Sequence, residues 1–263
     1  MREFDLIARY FSKKVPEGYL GAGDDGALLP LLPGRQWAVS TDALIEGRHF
    51  LPEVDPFSLG YKSLAVNLSD LAAMGATPAG CVLALALPDV NELWLSKFSD
   101  GFHQLAEQSR CPLVGGDTTG TSHGIMVCVT VFGHVTPGTA LLRSAAQSGD
   151  DVWVTGSLGA AHIALKLLQG SLPRDDSLLT RTRPMLEQPR PPTLFAAQLP
   201  GLAHAALDIS DGFLQDLGHI VRASKCGARI IFDYLPIDPV IEGLPNDLVE
   251  EAVLSGGDVY QLC

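Results

Sequence analysis

The sequence predicts a mixed α/β protein built from two patterned blocks. Three observations carry that reading. Apolar runs of strand formers and stretches of helical periodicity occur in about equal measure, without the clean βαβ alternation of an all-parallel sheet. Turn residues at Thr136-Pro137-Gly138 separate two such blocks, which gives domains of residues 1–137 and 138–263. Each block also carries a Ser-Asp element, Asn67-Leu68-Ser69-Asp70 in the first and Asp208-Ile209-Ser210-Asp211 in the second.

Taken in order, Glu3 to Phe11 reads as a short amphipathic helix, and Val15 to Gly26 as a turn-rich loop holding Asp24 and Asp25. Trp37 to Ile45 is rich in strand formers and ends in a polar cluster running on to His49. The next element is the best bounded. Asp55-Pro56 supplies an N-cap and an N1 proline, Gly75 supplies the C′ residue, and Leu64, Leu68 and Leu71 recur at helical spacing. Ser63, Asn67 and Asp70 recur on a second face of the same helix, so one carboxylate sits among small polar residues. Ala79 to Leu87 is a buried strand closed by Pro88, Asn91 to Ser109 a second amphipathic helix, Pro112 to Val114 a short strand entering Gly115-Gly116-Asp117-Thr118-Thr119, and Ile125 to Phe132 a long strand. In the second block, strands are expected at Asp151–Thr155, Ala205–Leu207 and Ala228–Phe232, and helices at Gly159–Leu168, Thr193–Gln198 and Phe213–Ala223. Gly170 to Arg183 reads as a polar insertion. Tyr260 to Cys263 reads as the middle of a strand, which suggests that a C-terminal segment is missing.

Composition narrows the function classes. The net charge is −12, and no Lys/Arg run exists to neutralise phosphates, so neither nucleic acid nor an anionic membrane surface is an expected partner. The five cysteines are scattered and include no C-x-x-C pair, which argues against a disulfide framework and a zinc knuckle and fits a cytoplasmic setting. The longest apolar runs are too short to span a bilayer.

Two literal motif matches fail on physical grounds. Gly21-Ala22-Gly23-Asp24-Asp25-Gly26 fits the dinucleotide fingerprint, yet no strand precedes it and two aspartates would repel a pyrophosphate. Gly120-Thr121-Ser122-His123-Gly124 fits the hydrolase elbow, which joins a strand to a helix, whereas a strand follows here. What remains is a set of aspartates in turns rich in Gly, Ser and Thr: Asp25, Asp42, Asp70, Asp117, Asp208 and Asp211. Carboxylates gathered at 4 Å repel by about 4 kcal/mol per pair at an effective dielectric of 20, so clustering demands a cation. Oxygen donors without thiolate or imidazole partners select Mg²⁺ or Ca²⁺, and Mg²⁺ suits dispersed aspartates that share it with substrate phosphates.

Several motifs in sequence carry a family resemblance. They are Gly23-Asp24-Asp25, Ser40-Thr41-Asp42-Ala43-Leu44 leading to Glu46-Gly47-Arg48-His49-Phe50, Asn67 to Gly75, Gly115-Gly116-Asp117-Thr118, Arg143-Ser144 before Gly149-Asp150, and Asp208-Ile209-Ser210-Asp211-Gly212. In this order, and over nearly the whole chain, they resemble the thiamine-monophosphate kinases. That family shares its fold with aminoimidazole ribonucleotide synthetase and selenophosphate synthetase. The resemblance implies two α/β domains, the first binding ATP and metal, with the N-terminal sheets of two subunits meeting as a barrel-like core of a homodimer. It implies ATP-dependent conversion of thiamine monophosphate to thiamine diphosphate with Mg²⁺ and a potassium requirement.

Carried over position by position, the resemblance makes Asp25, Thr41, Asp42, Asp70, Asp117, Asp208 and Asp211 metal ligands, with Ser40 contributing an oxygen. Gly116, Asp117, Arg143 and Ser210 would contact ATP, His49 and Asp258 would contact thiamine monophosphate, and Asp70, Asp117 and Asp211 would be the catalytic residues. Asp70 is expected to bridge metals, facing Asp208 and Asp211 across a cleft between domains. The tail departs from the family's Gly-Gly-Glu-Asp-Tyr-Glu-Leu, reading Gly256-Gly257-Asp258-Val259-Tyr260-Gln261-Leu262. That departure leaves two alternatives open: a non-catalytic Mg-nucleotide-binding relic, or an enzyme of the same superfamily acting on another small acceptor.

Overall fold

A four-stranded mixed sheet carries the first part of the chain. The computed structural model describes residues 3–22 and 26–263, so Asp24 and Asp25 lie outside the described residues. Strands β1 (Gln36–Ile45), β2 (Thr77–Leu87), β3 (Leu113–Gly120) and β4 (Met126–Val135) stand in the order β1-β4-β2-β3. β4 is antiparallel to both of its neighbours, and β2 and β3 run parallel, joined by the helical crossover such a pair requires. From Val127 on, β4 alternates between buried and half-buried residues, as a sheet with one covered face must.

Helices α2 (Pro56–Ala73) and α3 (Glu92–Gln108) follow the short N-terminal helix α1 (Glu3–Leu6) and its π-helical extension over Ile7–Phe11. α2 has the expected bounds, about five turns. The Asp55 carboxylate accepts from the amides of Phe57 and Ser58, and beyond the last turn Ala76 N–H reaches back to Leu71 C=O around Gly75 at φ +65°. Leu64, Leu68 and Leu71 are buried with Leu83, Leu85, Val129 and Val131 of the sheet. α2 and α3 approach at two glycines, since a Cβ at Gly60 would sit 2.0 Å from the Phe98 carbonyl oxygen and one at Gly101 would sit 1.9 Å from that of Phe57.

The chain divides into two compact units, Met1–Leu71 with Ala76–Gly138, and Ala72–Gly75 with Thr139–Cys263. The second is mainly helical: α4 (Ala160–Leu168), α5 (Asp176–Glu187), α6 (Thr193–Ala196), α7 (Phe213–Ser224) and α8 (Asn246–Ser255). Its core gathers Leu158, Ile163, Ile209, Phe213, Leu217, Ile241, Ala252 and Val253.

Several expected elements differ. Asp151–Thr155 and Ala228–Phe232 form no strand ladder; apart from Thr155 N–H to Leu262 C=O, their composition suits a strand but no neighbouring strand pairs with them. Ala205–Leu207 and Tyr260–Cys263 are reduced to one antiparallel bridge, Asp208 with Leu262, because Asp258 and Tyr260 at φ +59° and +54° interrupt the extended backbone. The expected polar insertion instead opens α5, which runs on to Glu187 and is capped by the Asp175 carboxylate on Leu178 N–H. The five cysteines are all free thiols, and among the described residues no helix is long and apolar enough to cross a membrane.

Candidate functional site

In the first unit, the carboxylates of Asp42 and Asp70 come together between β1 and α2. Even-numbered residues of β1 turn toward the helices, so Ser40 and Asp42 share a face with buried Ala38 and Leu44. Ser40 Oγ donates to Asp70 Oδ2 at 2.5 Å. Asn67, one turn before Asp70 and wholly buried, accepts from the Asp42 amide at 2.9 Å and anchors its own side-chain amide on Ser63 C=O at 3.0 Å. The polar face of α2 thus fixes the backbone of β1 where the second carboxylate leaves it. The Asp42 carboxyl is raised from its ordinary 3.8 to about 6, first by lost hydration, then by the charge of Asp70 and a hydrogen bond to it. Thr41 turns the other way and shares a hydrogen bond with Thr130 Oγ1 on the opposite face of the sheet.

The elevated Asp42 carboxyl has a testable consequence. A raised folded-state pKa favours the native state at pH values below the ordinary one, and that contribution is lost as pH rises through about 6. Between pH 4 and 7, the metal-free protein should lose melting temperature that Asp42→Asn does not lose. Parallel pH slopes for parent and variant would show that Asp42 does not titrate in this range.

Gly116 and Asp117 stand on β3, at the far edge of the sheet. The register links Asp42 to Val129, Val129 to Leu83 and Leu83 to Gly116, so Asp42 and Gly116 lie in one row three strand spacings apart, about 14 Å. Gly116 has φ +153°, and a Cβ there would meet Leu83 C=O at 1.9 Å, so only glycine fits this close approach to β2. Asp117 beside it is exposed. His49, past the end of β1, accepts from Ile45 N–H through Nδ1 at 3.0 Å, which leaves Nε2 as the outward nitrogen.

In the second unit, Asp208, Ser210 and Asp211 lie on the turn entering α7, with Asp208 buried and Asp211 exposed. The tail lies against this turn: Asp258 N–H bonds Ser210 C=O at 2.8 Å, and Tyr260 N–H bonds Ile209 C=O at 2.8 Å. Gly257 allows the approach, since a Cβ there would sit 2.5 Å from the Ser210 oxygen. Tyr260 Oη in turn donates to Asp258 Oδ1 at 3.2 Å. Arg143 is exposed on a loop held by Ser224, whose Oγ donates to Arg143 C=O and accepts from Ala146 N–H. Further along that loop, Asp150 accepts from Gln147 N–H and pairs with His204, contacts that hold its carboxyl below the ordinary value.

A family model described as AIR synthase related protein, N-terminal domain, matches residues 23–135. The thiamine-monophosphate kinase of Escherichia coli O157:H7 is 45% identical over 273 residues, covering 99% of this chain and 81% of the relative. The chain belongs to the thiamine-monophosphate kinase family. Among solved structures, the thiamine-monophosphate kinase of Stenotrophomonas maltophilia K279a superposes with a TM-score of 0.88 at 44% identity, over 94% of this chain and 80% of that one. AaThiL complexed with AMPPCP and TMP superposes with a TM-score of 0.81 at 28% identity, over 89% of this chain and 76% of that one.

For a member of the thiamine-monophosphate kinase family, the aspartates read from sequence are spread out within each unit. Asp42 pairs with Asp70, Asp117 stands apart from them, and Asp208 and Asp211 share a turn with Asp258 against it. Among the described residues, no three His, Cys, Asp or Glu side chains gather closely enough to hold one ion. The two Ser-Asp elements also differ in setting, since Ser69-Asp70 lies inside α2 while Ser210-Asp211 precedes α7. Sequence reading missed Asp216, which is buried beneath the second element, and the part played by Ser224 in holding the Arg143 loop. A carboxylate one turn into a helix that opens on Ser-Asp-Gly is the signal that could have found Asp216.

Proposed function

We propose that this protein transfers the γ-phosphoryl group of ATP directly to thiamine monophosphate, forming thiamine diphosphate, in the cytoplasm. The observation that carries the reading is 45% identity to a thiamine-monophosphate kinase over 99% of the chain. The likeness to AaThiL complexed with AMPPCP and TMP supports both substrates. A nucleotide-binding relic and a different acceptor are not favoured, because thiamine-monophosphate kinases from several bacteria match nearly the whole chain at 35–45% identity.

The donors suit a hard cation. Asp42 and Asp70 are oxygen ligands that compete for a proton when no cation neutralises them, which is the pairing a divalent ion relieves. Bound Mg²⁺ would supply charge neutralisation between ATP and the acceptor phosphate, and K⁺ would add to it. Asp42, Asp70 and the Ser40 hydroxyl hold metal in the first unit, and a contribution from Thr41 falls to its backbone oxygen. Asp25 and Asp117 are further ligands, and Asp208 and Asp211 serve the second unit. Gly116 lets ATP approach the β3 backbone closely. Arg143 binds phosphate oxygens two at a time, and Ser210 adds a hydroxyl. His49 and Asp258 orient thiamine monophosphate. No general base is required, because a phosphate acceptor with its second pKa near 6 is already largely ionised at pH 7. The work of the site is positioning and electrostatics, and transfer proceeds without a phosphoenzyme.

Residues 1–137 would form the ATP- and metal-binding domain, and residues 138–263 the second domain. Two copies would meet through the outer faces of their N-terminal sheets as a barrel-like dimer core. Val39, Ile45 and Met126 of that sheet, 57%, 46% and 38% exposed, favour such a partner. The deciding assay follows thiamine diphosphate and ADP made from ATP, Mg²⁺ and thiamine monophosphate, with Asp117→Asn alongside. Product from the parent and at least a 10-fold loss in the variant are expected. No product above a protein-free control would overturn the reading, and ADP formed only with another acceptor would point to the superfamily alternative.

A further inference from the structure

The Asp216 carboxylate, buried on the first turns of α7, is 3% exposed. Its Oδ2 accepts three consecutive backbone amides, Ser210 at 3.0 Å, Asp211 at 3.0 Å and Gly212 at 3.1 Å. Three successive N–H groups converging on one point at the mouth of a helix form the concavity in which proteins bind phosphate. Here the protein fills that concavity with its own side chain. Two consequences follow for the turn. Its amides are unavailable to a nucleotide, so Ser210 can reach a ligand only through its hydroxyl. Its backbone is also locked, with Asp216 beneath it and the Ser210 and Ile209 carbonyls taken by the tail amides of Asp258 and Tyr260. Gly212 completes the lock at φ +126°, where a Cβ would sit 2.7 Å from Ser255 C=O.

We propose that Asp216 is a positioning residue that holds the Asp208–Gly212 turn in the shape in which Asp208 and Asp211 bind divalent cation. It acts through the backbone and touches neither nucleotide nor acceptor. The inference rests on the metal-binding role given to that turn above. A side chain that merely filled space would tolerate an isosteric amide. Asparagine keeps the volume and can still set one oxygen beneath the three amides, but it loses the charge that strengthens those bonds.

The test uses the full chain with Asp216→Asn and Asp216→Glu. Backbone amide exchange of the Leu207–Leu217 peptide, Mn²⁺ binding followed by electron paramagnetic resonance, thermal melting and steady-state kinetics are read together. For Asp216→Asn we expect exchange at residues 210–212 to speed up at least 10-fold, Mn²⁺ affinity to fall at least 5-fold and kcat at least 10-fold. Asp216→Glu, which keeps the charge but displaces it by a methylene, should fold and show a smaller loss of Mn²⁺ affinity. Parent-like Mn²⁺ affinity in any folded variant overturns the proposal. Exchange and Mn²⁺ binding need no turnover, so a parent that binds Mn²⁺ but makes no thiamine diphosphate would count against the kinase reading and leave this one standing on its own result.

Discussion

Asp70→Asn is expected to lower turnover by about 10³-fold while leaving the melting temperature within a few degrees of the parent. The carboxylate sits on the polar face of α2, takes the Ser40 hydroxyl and meets the Asp42 carboxyl. Asparagine matches its size and keeps one acceptor for Ser40, so the packing of α2 is preserved. It also removes the charge opposing Asp42, so the metal-free protein should gain slightly in stability above pH 6. What it cannot do is neutralise a divalent ion. On the proposed role, losing one anionic ligand from a site that screens transferring phosphates removes several kcal/mol of transition-state stabilisation, and about 4 kcal/mol corresponds to 10³-fold in rate. The measurement is thiamine diphosphate formation at saturating ATP with Mg²⁺ varied over a wide range, beside a thermal melt. A variant with the parent's rate would make Asp70 an ordinary helix-face acid.

The contrast between α2 and the rest of the site shows which information was local. α2 was legible because cap, apolar period and C′ glycine all lie within its own residues, and Asn67 and Asp70 could be placed on one face by spacing alone. β3 was only half legible, because Gly115 to Gly120 reads as a turn until β2 supplies a parallel partner. The row that sets Asp42 and Gly116 at opposite sheet edges depends on the non-sequential order β1-β4-β2-β3, which no local pattern encodes. Sequence reasoning listed these aspartates as one set, and the pairing register adds that Asp42 and Gly116 stand about 14 Å apart along the first unit's sheet. Asp216 was invisible for a different reason: one acid on an amphipathic helix has no pattern, and its meaning comes from three amides that curl back onto it. The second unit's missing ladders have the same origin, since strand propensity describes a side-chain environment and a ladder needs a partner.

The largest stability effect should come from a residue with no chemistry. Gly101→Ala on α3 is expected to cost about 3 kcal/mol or more, a fall on the order of 10 °C in melting temperature. In an isolated helix, alanine would stabilise by about 1 kcal/mol over glycine, so propensity alone predicts the opposite sign. Geometry decides against it. The added Cβ would stand 1.9 Å from the Phe57 carbonyl oxygen and 2.7 Å from its carbon, and both belong to backbone in the first turn of α2. No rotamer change can relieve that contact, so the helices must separate. Separation would loosen the Phe98 and Phe102 rings, which are fully buried, and the reciprocal contact at Gly60, where a Cβ would lie 2.0 Å from Phe98 C=O. It would also shift α2 against β1, and with it the Asn67 and Ser40 bonds that bring Asp42 and Asp70 together. Gly101→Ala should thus lose activity below its melting transition as well as stability, whereas Gly120→Ala, with open space around its Cβ, should change neither. A Gly101→Ala protein as stable as the parent would mean that α2 and α3 are not in backbone contact.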